Sequence, residues 1–232
     1  AEFARQLAAR GANLVLVARR AERLEALASE LRDSAGVTVT VITADLASAD
    51  AGTRLAADVE SRGIQISTLI NNAGFGSRNR FEDEDQERIR EEILLNVAAL
   101  VDLTKAFYPQ LQAASNGALV NVASTAAYQP LPKMAVYGAT KAFVLSFTEA
   151  LWHENKGTAL KVLCLSPGGT ATEFFEVAGD RALVGPLRPV DEVVALTLKA
   201  LDRKNTPPSV VSGALNHVNS TLIQFFPRRA RV

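Results

Sequence analysis

A tyrosine and a lysine lie four positions apart in the stretch AVYGATKAFV (residues 135–144), which has the pattern of a helix. At that spacing Tyr137 and Lys141 project from the same helix face. A free tyrosine hydroxyl has a pKa near ~10, and a neighbouring ammonium lowers the pKa because it favours the phenolate. The pair therefore predicts a tyrosine that can act as a general acid or base. Because this spacing also occurs by chance in many helices, two ordinary residues on one helix face are the alternative.

Two further polar residues could complete such a site. Ser124 ends an apolar run, ALVNVAS, that is typical of a strand, so its hydroxyl would lie at the edge of a sheet and could orient a substrate oxygen. The alternative role of Ser124 is that of a turn or capping residue. Asn96 lies in the middle of a helical stretch, where asparagine is unfavourable because its side chain competes for backbone hydrogen bonds. We interpret Asn96 as a residue that holds a water or bends the helix.

The elements that must position these residues alternate along the chain. Apolar runs rich in Val, Ile and Leu predict about six strands, and amphipathic stretches between them predict helices, the third with Ser48 as its N-cap. This alternation is typical of a parallel sheet covered on both faces, and about six units are too few for a closed barrel. We predict an α/β fold with a doubly wound open parallel sheet (Rossmann-like), in a three-layer α/β/α arrangement. Residues 1–232 would form a single domain.

The composition excludes several classes of protein. Lys plus Arg and Asp plus Glu both number 25, so the net charge is zero and no basic face for nucleic acid is expected. No apolar run approaches the ~20 residues of a transmembrane helix. The single cysteine, Cys164, lies in a predicted strand, which indicates a packing role and a reducing, cytoplasmic setting. His153 and His217 stand alone, so no metal site is predicted.

Taken together, the motifs resemble those of the short-chain dehydrogenase/reductase family. The residues that carry the resemblance are NNAG (residues 71–74), Asn96, Ser124, the Tyr137-x-x-x-Lys141 pair and SPGG (residues 166–169). They occur in the family's order and with its spacing, over nearly the whole chain.

The resemblance implies a role for each of these residues. Tyr137 would donate a proton to a ketone oxygen or remove the proton of an alcohol, and Ser124 would bind and polarise the carbonyl. Lys141 would lower the pKa of Tyr137 and hydrogen-bond the nicotinamide ribose. Asn96 would hold a water in a proton relay. The hydride would come from a nicotinamide cofactor.

The type of cofactor is predicted from the residues that follow the first strand, Ala18-Arg19-Arg20. An enzyme that uses NAD commonly has an acidic residue here, whereas arginine accommodates the 2′-phosphate of NADP. We therefore predict NADP(H), with Arg19 as the contact. The alternative is that both arginines are solvated at the start of the next helix. Further cofactor contacts implied by the resemblance are Asp45 (alternatively or also a helix N-cap), Leu46, Asn72, Ala73, Gly74, Tyr137, Lys141, Pro167, Gly168 and Thr172.

The beginning of the chain departs from the family pattern. The family starts with a strand and a Gly-rich turn whose backbone amides hold the cofactor pyrophosphate, whereas this sequence starts in the helix AEFARQLAARG. The additional strand would lie between NLVLV and STLIN in the sheet. We expect an N-terminal segment of about 15–20 residues, the length of one strand with its turn, to precede this sequence.

By resemblance, the substrate is a small-molecule ketone or alcohol. Residues 172–189 are predicted to form a lid, and the apolar side chains of that segment, together with Phe75 and Leu131, favour a lipophilic carbonyl compound. The family also implies a homodimer or homotetramer. Two alternatives stay open, a non-catalytic dinucleotide-binding or interaction protein and an NAD-dependent alcohol dehydrogenase.

Overall fold

The apolar runs of the sequence form six short strands in the computed structural model, which describes residues 1–172, 174 and 187–231. The strands are β1 Leu14–Ala18, β2 Val39–Thr43, β3 Thr68–Asn71, β4 Ala118–Val122, β5 Lys161–Ser166 and β6 Ser209–Val211. Every paired strand runs parallel to its neighbour. Because parallel strands are covered on both faces, these runs are continuously apolar and do not alternate with polar residues.

Helices connect the strands, as the alternating pattern predicts. The α-helices of the described residues are α1 Glu2–Ala8, α2 Ala21–Ala35, α3 Ala51–Ser61, α4 Gln86–Ile93, α5 Ala99–Ala113, α6 Ala135–Glu154, α7 Val190–Leu201 and α8 Ala214–Leu222. A π-helical turn, Leu94–Ala98, joins α4 to α5. Single 3₁₀ turns are formed by Phe81–Asp83, Thr125–Tyr128, Ile223–Phe225 and Arg228–Ala230.

Helices cover both faces of the strands. On one face α3, α5 and α6 pack around a core that includes Val59, Phe107 and Leu111. On the other face α1 and α7 pack on β4 and β5, and α1 and α2 pack on β1 and β2. Successive residues of β4 serve the two cores, because Leu119 belongs to the first and Val120 to the second. The protein therefore has the predicted three-layer α/β/α fold.

The strands divide into two sheets, one of order β1-β2 and one of order β3-β4-β5-β6. Among the described residues, no strand pairs with the second edge of β1 or of β3. Both edges border one cleft of ≈ 2720 Å³, where Val15, Val17, Leu69 and Ile70 line it. This is the place at which the sequence predicts a further strand. The cleft continues from there to the carboxyl ends of the strands.

Buried polar side chains fasten two helices to the middle of the larger sheet. Asn71 of β3 donates to Oδ1 of Asn121 on β4 at 2.9 Å and to Oγ1 of Thr104 on α5 at 3.0 Å. Asn121 in turn donates to Oγ1 of Thr148 on α6 at 3.0 Å. Because a buried polar group costs free energy unless it is paired, these bonds favour one position of α5 and α6 on the strands. Helix α6 carries Tyr137.

The predicted start of the third helix is wrong. Helix α3 begins at Ala51, and its N-cap is Asp50, which has a left-handed φ of 57°. The preceding chain forms a separate turn, in which the Asp45 carboxylate accepts from the Ala47 N–H at 3.0 Å. The Ser48 hydroxyl donates to the Asp45 carbonyl at 2.7 Å and makes no capping bond. The turn after β2 thus uses Ser48, and the helix starts later.

Candidate active site

The carboxyl end of β4 meets the first turns of α6 beside the cleft. Ser124 follows β4, and Tyr137 and Lys141 lie one turn apart in α6. Tyr137 is 8 % exposed and Lys141 is 5 % exposed. All three residues line the cleft. The structure therefore brings these predicted residues together at the sheet edge where open α/β folds bind ligands.

Ser124 has the capping role that its sequence position allows, and its role toward a substrate oxygen stays a prediction. Its Oγ accepts a hydrogen bond from the Ala126 N–H at 3.1 Å and so caps the 3₁₀ turn Thr125–Tyr128. The same hydroxyl lies near the side chain of Tyr137 and lowers the pKa of the phenol. Because the capping bond orients Ser124, the serine and tyrosine hydroxyls converge on one point at the edge of the cleft.

The pKa of Tyr137 moves in the direction opposite to the prediction. Burial raises it to about 12, and the negative charge of Glu92 acts in the same direction. The Lys141 ammonium lies 5.8 Å from the centre of the tyrosine ring. The predicted lowering is wrong for the protein alone, because desolvation of the phenolate is the largest effect on this pKa. The phenol of Tyr137 is therefore protonated at pH 7.

Lys141 is anchored on the strand beneath it. Its Nζ donates to the backbone carbonyl of Val122, at the end of β4, at 2.9 Å. Burial lowers the pKa of Lys141 to about 8, so the ammonium form still predominates at pH 7. An ammonium has three N–H donors, and the Val122 carbonyl takes one of them. Lys141 can thus present a positive charge and further donors to a ligand in the cleft.

Asn96 lies fully buried in the π-helical turn, which is the irregularity that the sequence predicts at this position. Its side chain makes paired hydrogen bonds with the backbone of Phe75, accepting from the N–H at 3.1 Å and donating to the carbonyl at 2.8 Å. It also donates to the Thr140 hydroxyl at 3.1 Å, which in turn donates to the Tyr137 carbonyl at 2.8 Å. Asn96 therefore joins the segment after β3 to the helix that carries Tyr137.

Two glycines lie directly against these side chains. A Cβ at Gly76 would be 2.5 Å from Cδ2 of Tyr137, closer than real carbon atoms approach, and a Cβ at Gly74 would be 2.9 Å from Oδ1 of Asn96. The missing side chains let this backbone segment pack on the phenol ring. Sequence analysis predicts a role for Gly74 but misses Gly76, because the reason for Gly76 is a contact with a helix far along the chain.

Glu92 is a second residue near the site that sequence analysis misses. It is fully buried on α4, and the Ser77 hydroxyl donates to its Oε2 at 3.2 Å. Burial raises the pKa of Glu92 to about 7. The sequence contains a signal for its burial, because Ile89, Glu92, Asn96 and Ala99 recur at intervals of three and four residues on one helix stripe.

All of the residues predicted to bind the cofactor line the same cleft. They are Arg19, Asp45, Leu46, Asn72, Ala73, Gly74, Tyr137, Lys141, Pro167, Gly168 and Thr172. Part of the cleft is the gap between the two sheets, and the whole is far larger than the ~300–1,000 Å³ of a pocket for a small ligand. A guanidinium at β1 and an ammonium at α6 line this cleft and would attract an anionic molecule.

The end of β1 presents a positive charge to the cleft. Arg19 directly follows this strand, is exposed and borders the cleft. Arg20 is the N-cap residue of α2. Because both arginines are exposed and line the cleft, the phosphate contact of Arg19 stays a prediction, and so does the alternative that both are solvated.

Most of the predicted lid, residues 172–189, lies outside the described residues. Phe174 is described, and its ring centre is 5.3 Å from that of Tyr137, with the rings tilted by 45°. Within the described part of the chain, no group of three or more His, Cys, Asp or Glu residues could hold a metal ion. No helix in that part is long and apolar enough to cross a membrane.

Comparison with known sequences finds relatives over most of the chain. A family model for the short chain dehydrogenases matches residues 1–182. Sulfoacetaldehyde reductase from Chromohalobacter salexigens is 39 % identical over 183 residues, which are 77 % of this chain and 72 % of the reductase. Some curated relatives are longer, and the match covers 54 % of human 17-beta-hydroxysteroid dehydrogenase type 3, which is 31 % identical over 170 residues.

Solved structures share the arrangement of strands and helices. A short-chain dehydrogenase from Sphingobium yanoikuyae in complex with NADPH is 33 % identical and superposes with a TM-score of 0.83. The superposition covers 97 % of this chain and 91 % of that one. A 7beta-hydroxysteroid dehydrogenase is 26 % identical, with a TM-score of 0.86 over 99 % of this chain and 89 % of that one. Because the family model and these structures agree with the site geometry, we conclude that the chain belongs to the short-chain dehydrogenase/reductase family.

Proposed function

We propose that this oxidoreductase uses NADP(H) to interconvert a ketone and a secondary alcohol, and that its substrate is a lipophilic carbonyl compound. The observation that carries the proposal is the buried, neutral phenol of Tyr137, which lines the cleft together with Ser124 and Lys141. This pair of hydroxyls is suited to bind one carbonyl oxygen and to protonate it.

In the proposed reaction, Tyr137 is the proton donor. A carbonyl oxygen within reach of both hydroxyls accepts hydrogen bonds from Ser124 and Tyr137, which stabilise the negative charge that develops on the oxygen. Because burial keeps the phenol protonated at neutral pH, Tyr137 can transfer its proton to that oxygen. The nicotinamide, when bound, supplies the hydride. A phenol that is protonated at neutral pH is in the form that carbonyl reduction requires.

Lys141 and Asn96 support the proposed reaction without donating the proton. The Lys141 ammonium, anchored on the Val122 carbonyl, offsets part of the negative charge that Tyr137 acquires when its proton leaves. Asn96 holds the backbone of Phe75 in place and thereby the wall of the site. The relay water that the family resemblance implies at Asn96 stays a prediction.

The preference for NADP(H) rests on Arg19. We expect Arg19→Ala to weaken NADPH binding about 10- to 100-fold, the equivalent of a charge-assisted hydrogen bond of about 1.5–3 kcal/mol. NADH lacks the 2′-phosphate, so its affinity should not change. Fluorescence titration of both nucleotides measures this difference. The relative from Sphingobium yanoikuyae, which binds NADPH, supports the same preference.

A suitable control is Arg62→Ala, which removes an exposed arginine that pairs with Asp58 on α3. Its affinity for both nucleotides should equal that of the wild type. An equal loss of NADPH and NADH binding in Arg19→Ala, or tighter binding of NADH than of NADPH by the wild type, would favour the NAD-dependent alternative instead.

The lipophilic substrate is proposed from the side chains that surround the phenol. Phe75, Leu131 and Phe174 line the cleft together with Tyr137. An apolar lining favours a ligand that buries apolar surface of its own. The names of the relatives support two classes of carbonyl, since one is a hydroxysteroid dehydrogenase and another is a sulfoacetaldehyde reductase. The lining favours the first class.

The test is NADPH-dependent reduction of a panel that contains a steroid ketone, an aromatic ketone and sulfoacetaldehyde. We expect turnover of at least one lipophilic ketone, with a higher kcat/KM than for sulfoacetaldehyde. Turnover of sulfoacetaldehyde alone would replace the lipophilic substrate by a small polar aldehyde. NADPH binding without turnover of any carbonyl compound would favour the non-catalytic alternative.

The homodimer or homotetramer also stays a prediction. The surface of α4, the π-turn and α6 carries exposed apolar side chains that could bury one another in an assembly, namely Ile93, Leu94 and Phe143. Light scattering of the purified protein measures the assembly, and a monomeric mass would contradict the prediction.

A further inference from the structure

Glu92 is an unusual residue for the interior of this protein. It is 0 % exposed on a helix that is otherwise rich in exposed charge. Its Oε2 accepts from the Ser77 hydroxyl at 3.2 Å, and its Oε1 has no hydrogen-bond partner. A buried carboxyl with an unpaired oxygen costs free energy, so an apolar residue of similar size would be expected here. The proposed roles of the other site residues give no reason for an acid at this position.

The contacts of Glu92 lead directly to the phenol ring. Its partner, Ser77, follows Gly76, the glycine that lies against the ring of Tyr137. One helical turn after Glu92, Asn96 holds Phe75 by two hydrogen bonds. Asn96 and Glu92, four positions apart on one helical segment, thus hold Phe75 and Ser77 at the two ends of residues 75–77. Gly76, between them, packs against the phenol ring, and we call residues 75–77 the wall of the site.

The charge of Glu92 also reaches the site. Ionised Glu92 raises the pKa of both Tyr137 and Lys141, because it opposes the phenolate and favours the ammonium. The other groups that act on Glu92 are Ser77, Glu84 in the preceding segment and Arg88 on its own helix. Burial and Glu84 raise the pKa of Glu92, and Ser77 and Arg88 lower it, with a result of about 7. Its charge therefore changes within the physiological range.

We propose that Glu92 is a positioning residue for Tyr137, which holds residues 75–77 against the phenol ring and, when ionised, hinders ionisation of the phenol. The proposal rests on the proposed function only in taking Tyr137 as the proton donor. Protonated Glu92 keeps the wall in place without the opposing charge. Ionised Glu92 keeps the phenol protonated.

The coupling can be measured without turnover, by NMR of protein labelled at the tyrosine Cζ carbon. The chain has three tyrosines, so the spectrum is simple, and Tyr137→Phe assigns the signal of interest. We expect the Tyr137 signal of the wild type to shift with an inflection at about pH 7, where Glu92 ionises. Glu92→Gln should abolish the inflection, since glutamine keeps the shape of the side chain and carries no charge.

Glu87→Gln is the matched control. Glu87 lies on the same helix and is exposed, paired with Arg90 at the surface, so this variant makes the same charge change away from the phenol. It should retain the inflection. In alcohol oxidation, where Tyr137 must act as the base, Glu92→Gln should shift the rising limb of the rate–pH profile to lower pH by roughly half a unit to one unit. Glu87→Gln should leave that limb in place.

Thermal unfolding shows whether Glu92→Gln folds. The folded-state pKa of Glu92 lies above its ordinary value of 4.5, so the folded protein binds a proton that the unfolded chain releases. The stability contributed by that proton is lost as the pH rises from about 4.5 to about 7. The Tm of Glu92→Gln should therefore exceed that of the wild type above pH 7, and the difference should shrink as the pH falls.

Each outcome bears on the proposal. A Tyr137 signal that shows no inflection in the wild type, or the same inflection in Glu92→Gln, would overturn it. A loss of oxidation rate in Glu92→Gln that is equal at every pH would overturn the charge effect and leave only a structural role. An inflection that depends on Glu92, in a protein that turns over no carbonyl compound or alcohol, would support the coupling and reject the proposed function.

Discussion

Tyr137→Phe should lower kcat/KM for NADPH-dependent ketone reduction about 10³-fold, within the usual range for loss of a general acid. Phenylalanine keeps the ring that packs against Gly76 and Phe174, so the wall of the site stays in place. The variant loses only the hydroxyl that donates the proton and meets Ser124. NADPH binding should change far less than kcat/KM, because Tyr137 is one of many residues predicted to contact the cofactor along the cleft. Steady-state kinetics and fluorescence titration measure the two effects separately.

The control for this prediction is Tyr108→Phe, which also removes one tyrosine hydroxyl. That hydroxyl accepts a hydrogen bond from Asn155 in the core beside α5, away from the cleft. Tyr108→Phe should lose some stability and keep its kcat. If Tyr137→Phe retained more than about a tenth of the wild-type kcat/KM, another group would have to supply the proton and the proposed mechanism would be wrong.

Gly76→Ala should lower kcat about 10²-fold while the protein still folds. The added Cβ would lie 2.5 Å from Cδ2 and 2.9 Å from Cγ of Tyr137, near the base of a ring whose backbone is fixed in α6. The ring must tilt to make room, and a displacement of about 1 Å at a reacting group costs about 10²-fold in rate. Overpacking should also cost about 1–3 kcal/mol of stability. Kinetics and chemical denaturation of the same preparation measure both.

Gly138→Ala is the matched control, because Gly138 is the neighbour of Tyr137 in α6. A Cβ there would be no closer than 3.6 Å to other atoms, which is ordinary contact. Alanine is a better helix former than glycine, so this variant should gain up to about 1 kcal/mol and keep its kcat. Full activity in Gly76→Ala would mean that residues 75–77 yield to the ring, and the wall that Glu92 and Asn96 hold would have no effect on the phenol.

Predictions from local sequence patterns agree with the structure where the feature itself depends only on residues close together in the chain. The shared helix face of Tyr137 and Lys141 follows from the pitch of a helix, and the position of Ser124 follows from the end of an apolar run. Both hold in the structure. The start of α3 is a local feature that was predicted wrongly, because the Ser48 hydroxyl bonds back to the Asp45 carbonyl in the turn after β2 and does not cap the helix.

The electrostatics of the site could not be predicted from the same patterns. A lysine one turn from a tyrosine predicts a lowered pKa for the phenol, but burial raises the pKa to about 12. Desolvation depends on every element packed around the side chain, so no spacing within one helix gives its size. The same holds for Glu92, whose charge reaches Tyr137 only because α4 packs beside α6.

By itself, therefore, the sequence determined the alternation of strands and helices and the three-layer fold, because these follow from short-range periodicity. The residues of the site were identified by the motifs that resemble those of the family. Only the tertiary structure decided that Gly76 packs on the phenol ring, that Asn96 and Glu92 hold the residues on either side of it, and that the phenol of Tyr137 is protonated at neutral pH. The physical reason is that close packing and desolvation arise between segments that are far apart in the chain.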